Sequence, residues 1–505
     1  MEHFFSQLPV LPVVTPMILA PFALLMRPGR TPWLWATLIS WVTFFFCLLL
    51  LERVWHYGVQ NYNMGDWDVP LGISYRIDLA NALIMTLVSG IAAVVFPYAL
   101  HSVESEIDIR QTPAFYTALV ICMTGLLGVA ATGDAFNVFV FLEISSLATY
   151  ALVAMGARND RRALTAAFSY LVMGTLGATF FVIGLGLLYQ ATGTLNMADM
   201  HDRLDGVDSR SVKAGFAFIV TGLGLKLAMV PVHLWLPNAY TFAPSAVTAF
   251  LAASATKVAV YAMMRFVFTV FGSGFDFHNV ALDIFIALGI FGMLYASLIA
   301  VFRDDVKQLL AYSSVAQIGY MLLGISMGTV GGMSAAFVHL FNHGLMKAAL
   351  FMAVGCVMLR TGSHQLSAYS GLARRMPWTT WAFVIAGLSL IGVPGTAGFV
   401  SKVLLMQAAF DVVPLIPSEL IIFFILASSL LAVIYIGRII FAMVLGPEPE
   451  NAVRIKEAPA AMLVPLWILV LANLYFGLQS SVLVDVARRA AEQMLQHGLG
   501  FGGAF

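Results

Sequence analysis

Seven ionisable residues lie within apolar stretches of this 505-residue chain. Glu143 sits in FNVFVFLEISSLATY, Lys226 in GLGLKLAMVPVHLWLP and Lys257 in FLAASATKVAVYAMM. His339, His343 and Lys347 share AAFVHLFNHGLMKAALFMAV, and Lys402 closes LIGVPGTAGFVSK. A charge at the centre of a bilayer costs at least about 2.5–3.5 kcal/mol on insertion, so several in one chain together exceed ~10 kcal/mol. His339, His343 and Lys347 recur at i, i+4 and i+8, a ladder on one helical face with about 6 Å between steps. Such a file suits proton hopping. Imidazole accepts on one nitrogen and donates from the other near neutral pH. A buried lysine can lose its proton because desolvation disfavours its charged form. Arginine would stay charged.

Each residue also has a plainer use. Glu143 and Lys226 could form a static ion pair that fixes packing. Lys257 and Lys402 could reach towards an interface, and a lone histidine in a helix is commonly a hydrogen-bonded packing residue. The shared face of His339, His343 and Lys347 favours a working role. Asp78, Asp134, Arg265 and Arg438 lie near expected helix ends and read as boundary residues. Cys47, Cys122 and Cys356 lie in apolar runs without CxxC spacing, so packing is expected, and no metal site or cofactor is.

The elements that carry these groups must be membrane helices. The chain is 60% hydrophobic and 10% charged, with zero net charge and a mean hydropathy of +0.90. Soluble domains carry roughly 25% charged residues, and zero net charge gives no reason to expect nucleic-acid binding. About fourteen apolar segments can be marked, near 8–26, 32–51, 79–100, 112–132, 135–156, 164–190 and 215–236, then 243–271, 279–302, 309–328, 334–359, 379–410, 417–445 and 459–480. They are continuous runs without period-2 alternation, so helices are expected rather than a barrel. The N-terminus lacks the basic start and small-residue cleavage site of a signal peptide, so the first run reads as a retained span.

Lys226 with Pro231 and Lys402 with Pro394 form two matching Pro-interrupted segments. Paired interruptions of this kind mark inverted-repeat transporters. The expected fold is an all-α polytopic membrane protein of about 14 transmembrane helices with two inverted repeats, each containing a Pro-broken helix. The expected divisions are 1–110 for N-terminal helices, 111–275 and 276–446 for the repeats, and 447–505 for a last helix and amphipathic tail. Arg27, Arg30, Arg110, Arg158, Arg161, Arg162, Arg303, Lys307, Arg374, Arg375, Arg454 and Lys456 fall in alternate loops, which the positive-inside rule places in the cytoplasm. Both termini then lie outside the cell membrane. Val482 to His497 reads as a helix lying on the membrane surface, with partner docking as the alternative.

The stretches FNVFVFLEISSLATY, GLKLAMVPVHLWLPNAYTFAPSAVTAFLAASATK, FRDDVKQLLAYSSVAQIGY, FNHGLMKAALF and GVPGTAGFVSK resemble the antiporter-like subunits shared by respiratory complex I and Mrp-type cation/proton antiporters. They cover about 130–410, and NAYTFAPSAVTAFLAASATKVAVY most resembles the D-type member of the Mrp set. The resemblance implies that Glu143 and Lys226 form the first half-channel's pair and that Lys257 is the central lysine. It places His339, His343 and Lys347 on the second half's histidine/lysine segment and makes Lys402 its terminal group, where one complex I subunit type has glutamate instead. It also implies an ion-transport subunit rather than an enzyme, working with other subunits in the lipid bilayer, with protons and Na+ as candidate cargo. The alternative is a proton-pumping subunit of a redox-driven complex I-like or membrane hydrogenase-like assembly.

Overall fold

The computed structural model describes residues 2–207, 209–410, 416–448 and 455–497. Arg454, one of the basic residues that orient the chain, and the last residues of the tail lie outside them, as does Met1. The chain opens with α1 (Glu2–Gln7), α2 (Leu11–Leu19), continued by a tight turn of helix to Leu25, and α3 (Arg30–Tyr57). A two-stranded antiparallel hairpin, β1 (Gln60–Asn63) and β2 (Ser74–Ile77), precedes α4 (Leu79–Glu106). No strand was expected in this short polar stretch.

Then follow α5 (Thr112–Ala131), α6 (Ala135–Ala154), α7 (Arg162–Thr192), short α8 (Met197–Leu204), α9 (Arg210–Leu227), α10 (Trp235–Phe242) and α11 (Ser245–Met264). The second set is α12 (His278–Val301), α13 (Val306–Ser326), α14 (Val330–Thr361), α15 (Pro377–Ile391), α16 (Ala397–Phe410) and α17 (Ser418–Leu445). Helices α18 (Ala460–Leu478) and α19 (Ser481–His497) end the described chain.

Among the described residues, eleven helices are long and apolar enough to cross a membrane, and Leu11–Leu25, Pro377–Ile391 and Ala397–Phe410 are shorter apolar helices. About fourteen crossings were expected. The difference falls where an expected span is shortened or interrupted, at 8–26, 215–236 and 379–410.

Both expected breaks are present. Helix α9 stops at Leu227 because Ala228 turns left-handed, with φ 61°, and α10 resumes at Trp235. Helix α15 stops at Gly392, φ 96°, and α16 resumes at Ala397. Pro231 and Pro394 lie inside these gaps, where a residue without N–H leaves no broken ladder bond. Carbonyls freed in an apolar medium need partners. The Trp235 indole donates to Leu225 O at 2.9 Å in the first break. The Lys402 ammonium donates to Ile391 O at 2.8 Å and Leu390 O at 3.2 Å in the second.

The helices fall into two sets in the same order. In each, the fourth is the broken one: α5, α6, α7, α9–α10, α11, then α12, α13, α14, α15–α16, α17. Five crossings are an odd number, so the second set starts on the opposite face from the first, and the repeats are inverted. A matching latch joins the second and third helices of each. Asp134 caps α6 while Ala135 N donates to Leu195 O and Met197 N to Gly133 O. Asp305 caps α13 while Val306 N donates to His364 O and Leu366 N to Asp304 O. The parallel stretches Thr192-Gly193-Thr194-Leu195-Asn196 and Thr361-Gly362-Ser363-His364-Gln365 close these latches after left-handed glycines.

Basic loops gather on one face. Arg30 pairs with Glu104 at 3.1 Å, Arg360 donates to Glu457 O at 2.7 Å, and Arg375 pairs with Glu448 at 3.1 Å. At the opposite face, α19 buries Leu483, Val486, Ala487, Ala490 and Met494 against the protein's own α4 and α14. Gln493 accepts from Leu79 N at 3.3 Å, and Arg489 lies 4.0 Å over the Trp55 ring. The apolar stripe expected to rest on lipid is thus covered by the bundle.

Candidate functional site

The seven residues occupy the two broken-helix units and the helices packed against them. Lys226 ends α9, just before its break, and its side chain is only 6% exposed. Its ammonium donates to Glu143 Oε1 at 3.0 Å and to Ser146 Oγ at 2.7 Å, both on α6. Glu143 is 24% exposed, at the edge of the outward face of α6 that also presents Leu147, so one member of the pair opens towards the flank of the chain. One turn beyond Ser146, Tyr150 meets Tyr170 edge-on at 4.8 Å, and Tyr170 stacks on Trp235 at 4.1 Å.

The second group lies on α16, α13 and α14. Lys402 on α16 donates to Ser429 Oγ at 2.9 Å and lies 5.1 Å from the centre of the Tyr320 ring. Tyr320 is 5.5 Å from the His339 ring. Ser401, next to Lys402, lies 2.8 Å from His339 Nδ1. His339 and His343 hold parallel rings 6.0 Å apart. Lys347, one turn further, donates to Ser313 Oγ and, at 2.8 Å, to Leu310 O on α13. Among the described residues, His339 Nε2 and both nitrogens of His343 have no hydrogen-bond partner. All three ladder residues are buried. Buried imidazole nitrogens without protein partners are where bridging water or a transferred proton would be held.

Lys257 on α11 joins this group. Helices α11 and α14 touch so closely at Gly344 that a methyl group there would stand 3.0 Å from Ala253 O. Lys257 is fully buried and donates to Ala252 O and Thr256 Oγ1. Among the described residues, no hydrogen bond or ion pair joins Lys226 directly to Lys257. The structure therefore presents a Glu143–Lys226 pair and, apart from it, Lys402, His339, His343 and Lys347 on α16 and α14, with Lys257 on the helix packed against α14.

Sequence reading passed over three groups here. His233, seven residues after Lys226, is buried between Tyr295 and Tyr312. Its signal was its place two residues after Pro231. Asp78 and Arg265, read as boundary residues, form a buried ion pair, with Asn81 accepting from the guanidinium at 2.6 Å and Tyr261 at 2.8 Å. They lie almost two hundred residues apart in the chain, and no local pattern links them. Three or more His, Cys, Asp or Glu placed to hold a metal are not found among the described residues.

The fold is that of a polytopic membrane protein. The chain belongs to the family described as NADH:quinone oxidoreductase/Mrp antiporter, TM, which matches residues 132–432 and so includes all seven groups. It is 37% identical to the N-type subunit of the NADH-quinone oxidoreductase of Desulforudis audaxviator, covering 95% of this chain and 97% of that one. It is 29% identical to the D-type subunit of the Na(+)/H(+) antiporter of Bacillus subtilis, covering 96% and 97%. A chain of the membrane-bound sulfane sulfur reductase, an archaeal respiratory membrane complex, superposes with TM-score 0.89 at 27% identity, covering 98% and 99%. A chain of the Mrp complex from Dietzia sp. DQ12-45-1b superposes with TM-score 0.86 at 26% identity, again covering 98% and 99%. This protein is accordingly a multi-pass, antiporter-like membrane subunit.

Proposed function

We propose that this chain is the proton-translocating subunit of a multisubunit Na+/H+ antiporter in the cell membrane, with Glu143, Lys226, Lys257, His339, His343, Lys347 and Lys402 as its relay. The observation that carries this reading is the run of contacts from Lys402 over the Tyr320 ring to His339 and on to the parallel ring of His343, with Lys347 one helical turn further along the same face. A packing scaffold would be expected to scatter its ionisable groups as separate pairs. Here four titratable side chains stand in a file with imidazole nitrogens left open between them.

Glu143 sets the charge state of Lys226. A carboxylate at 3.0 Å favours the ammonium, and desolvation opposes it, so moving or neutralising the glutamate alters the lysine's hold on its proton. Pro231 and Pro394 keep open the gaps beside which the two lysines stand, where freed carbonyls can bind water. The partly exposed Glu143 lies where a neighbouring subunit can approach, in keeping with a chain that works with other subunits.

The test is transport in membrane vesicles holding the complete complex. Glu143→Gln and Lys226→Ala are each expected to lower proton-coupled transport by about 10²-fold or more while the complex still assembles. Near-normal transport in both would refute the relay. A second reading is a proton-pumping subunit of a redox-driven complex, favoured by the 37% identity to an NADH-quinone oxidoreductase subunit. Purification with the native partners separates the two: small antiporter subunits support the first, iron–sulfur subunits the second.

A further inference from the structure

Outside the seven groups, one buried charged cluster faces the loops rich in arginine. Glu106 ends α4 at 7% exposure and Lys307 lies in the first turn of α13 at 4%. The second was expected to be a loop charge in water. Both bind the turn that starts α11. Glu106 Oε2 accepts from Ser245 N at 2.9 Å, and Lys307 Nζ donates to Ala243 O, two residues earlier, at 2.6 Å. Ser102 Oγ donates to Glu106 Oε1 at 2.8 Å. Ser245 Oγ is buried in the same place and has no hydrogen-bond partner among the described residues. The cluster thus joins a carboxylate, an ammonium and an open hydroxyl, and polar sites of this kind hold water when buried.

We infer that Glu106 and Lys307, with Ser102 and Ser245, form a buried proton intake at the basic-loop face that loads Lys347 and Lys257. The inference rests on the relay reading above and adds its point of access. Helices α11 and α13 both begin at this cluster, and each leads to a relay lysine. On α13, Leu310, whose carbonyl holds Lys347, lies three residues past Lys307, a rise of about 4.5 Å. On α11, Ala252, whose carbonyl holds Lys257, lies seven residues past Ser245, a rise of about 10 Å. The ladder on α14 climbs towards the same face, with Lys347 its last member. Glu106 as a carboxylate takes a proton from hydronium, releasing water, and passes it, as the carboxylic acid, through bridging water to the neutral amine of Lys347. That step leaves a carboxylate and an ammonium, so the charge balances. Lys307 keeps the empty carboxylate compensated in its buried position.

The alternative is that Glu106 merely caps α11. Glu106→Gln separates the two, because the amide oxygen can still accept from Ser245 N while the amide NH2 donates to Ser102 Oγ, whose hydroxyl can turn to accept, but the group no longer titrates. In vesicles carrying the complete complex, Glu106→Gln is expected to lower transport by about tenfold or more, with Glu106→Asp restoring much of the rate. Glu106→Gln at the parent rate overturns the inference, as does equal loss in Glu106→Asp, which would mark a packing requirement. Should Glu106→Gln fail to assemble, Ser245→Cys decides. A small charged thiol reagent applied from the basic-loop face should label it, while Cys47, Cys122 and Cys356, all buried, stay unlabelled, and no labelling overturns the intake. Lys257→Ala and Lys347→Ala distinguish the two readings. If they leave transport intact, the relay itself fails. If they abolish it and Glu106→Gln is silent, only the intake fails.

Discussion

At the scale of single residues, an ionisable side chain in this bundle is tolerated through the partners it finds. Lys402 rests on the carbonyls that the α15 break sets free, and Lys226 on a carboxylate and a hydroxyl. The Asp78–Arg265 pair shows the cost of losing such a partner. Removing one member of a buried pair strands the other charge and costs about 3–5 kcal/mol. Arg265→Ala should therefore markedly lower the temperature at which the detergent-solubilised protein unfolds. Asp78 also caps α4 in a reciprocal arrangement with Asn81. Asparagine caps as well as aspartate, so the double variant Asp78→Asn, Arg265→Leu should recover most of the loss. Equal damage in the single and double variants would mean that the guanidinium has a role beyond pairing.

At the scale of elements, the two broken helices reach the same shape by different backbone means. Ala228 holds a left-handed conformation that disfavours a side chain by roughly 1–2 kcal/mol. Gly392 holds one at no such penalty. Ala228→Gly should stabilise the protein by about 1 kcal/mol. Gly392→Ala should destabilise it by at least as much, because the new methyl also meets Lys402 Cδ at 3.0 Å. Unfolding of the two variants should therefore shift in opposite directions. Transport should fall only in Gly392→Ala, where the displaced group is a proposed relay lysine. The proline pattern located both breaks, but which residue turns first could not be read from it, since alanine gives no local signal for a positive φ.

At the scale of the whole molecule, the basic loops lie on one face and the hairpin and α19 on the other. If the basic face is cytoplasmic, as the positive-inside rule requires, short epitope tags at both ends of the chain should be reached by antibody from outside intact cells. Reaching either tag only after permeabilisation would reverse the orientation, and the intake at Glu106 would then open to the other side. The covering of α19 by α4 and α14 bears on assembly too. Its apolar stripe is already used, so its exposed edge, with Arg488 bonded to Glu492 at 3.0 Å, is what remains for a neighbour.

Hydropathy, proline placement and the i, i+4, i+8 ladder are local properties, and they were enough to determine the membrane class, the positions of the two broken helices and the common face of His339, His343 and Lys347. Each follows from the preferences of neighbouring residues along one helix. Which groups meet across helices is not a local property. The Lys226–Glu143 pair, 83 positions apart, was expected only through the family resemblance, and the Arg265–Asp78 pair, 187 apart, was decided by the tertiary structure alone. Lys307 looked like a loop charge until packing buried it against Ala243. The short hairpin and the two matching latches also escaped notice, because backbone pairing between distant loops leaves little mark on composition. A buried charge announces itself in a sequence by its cost; its partner is named only when the chain folds back to supply one.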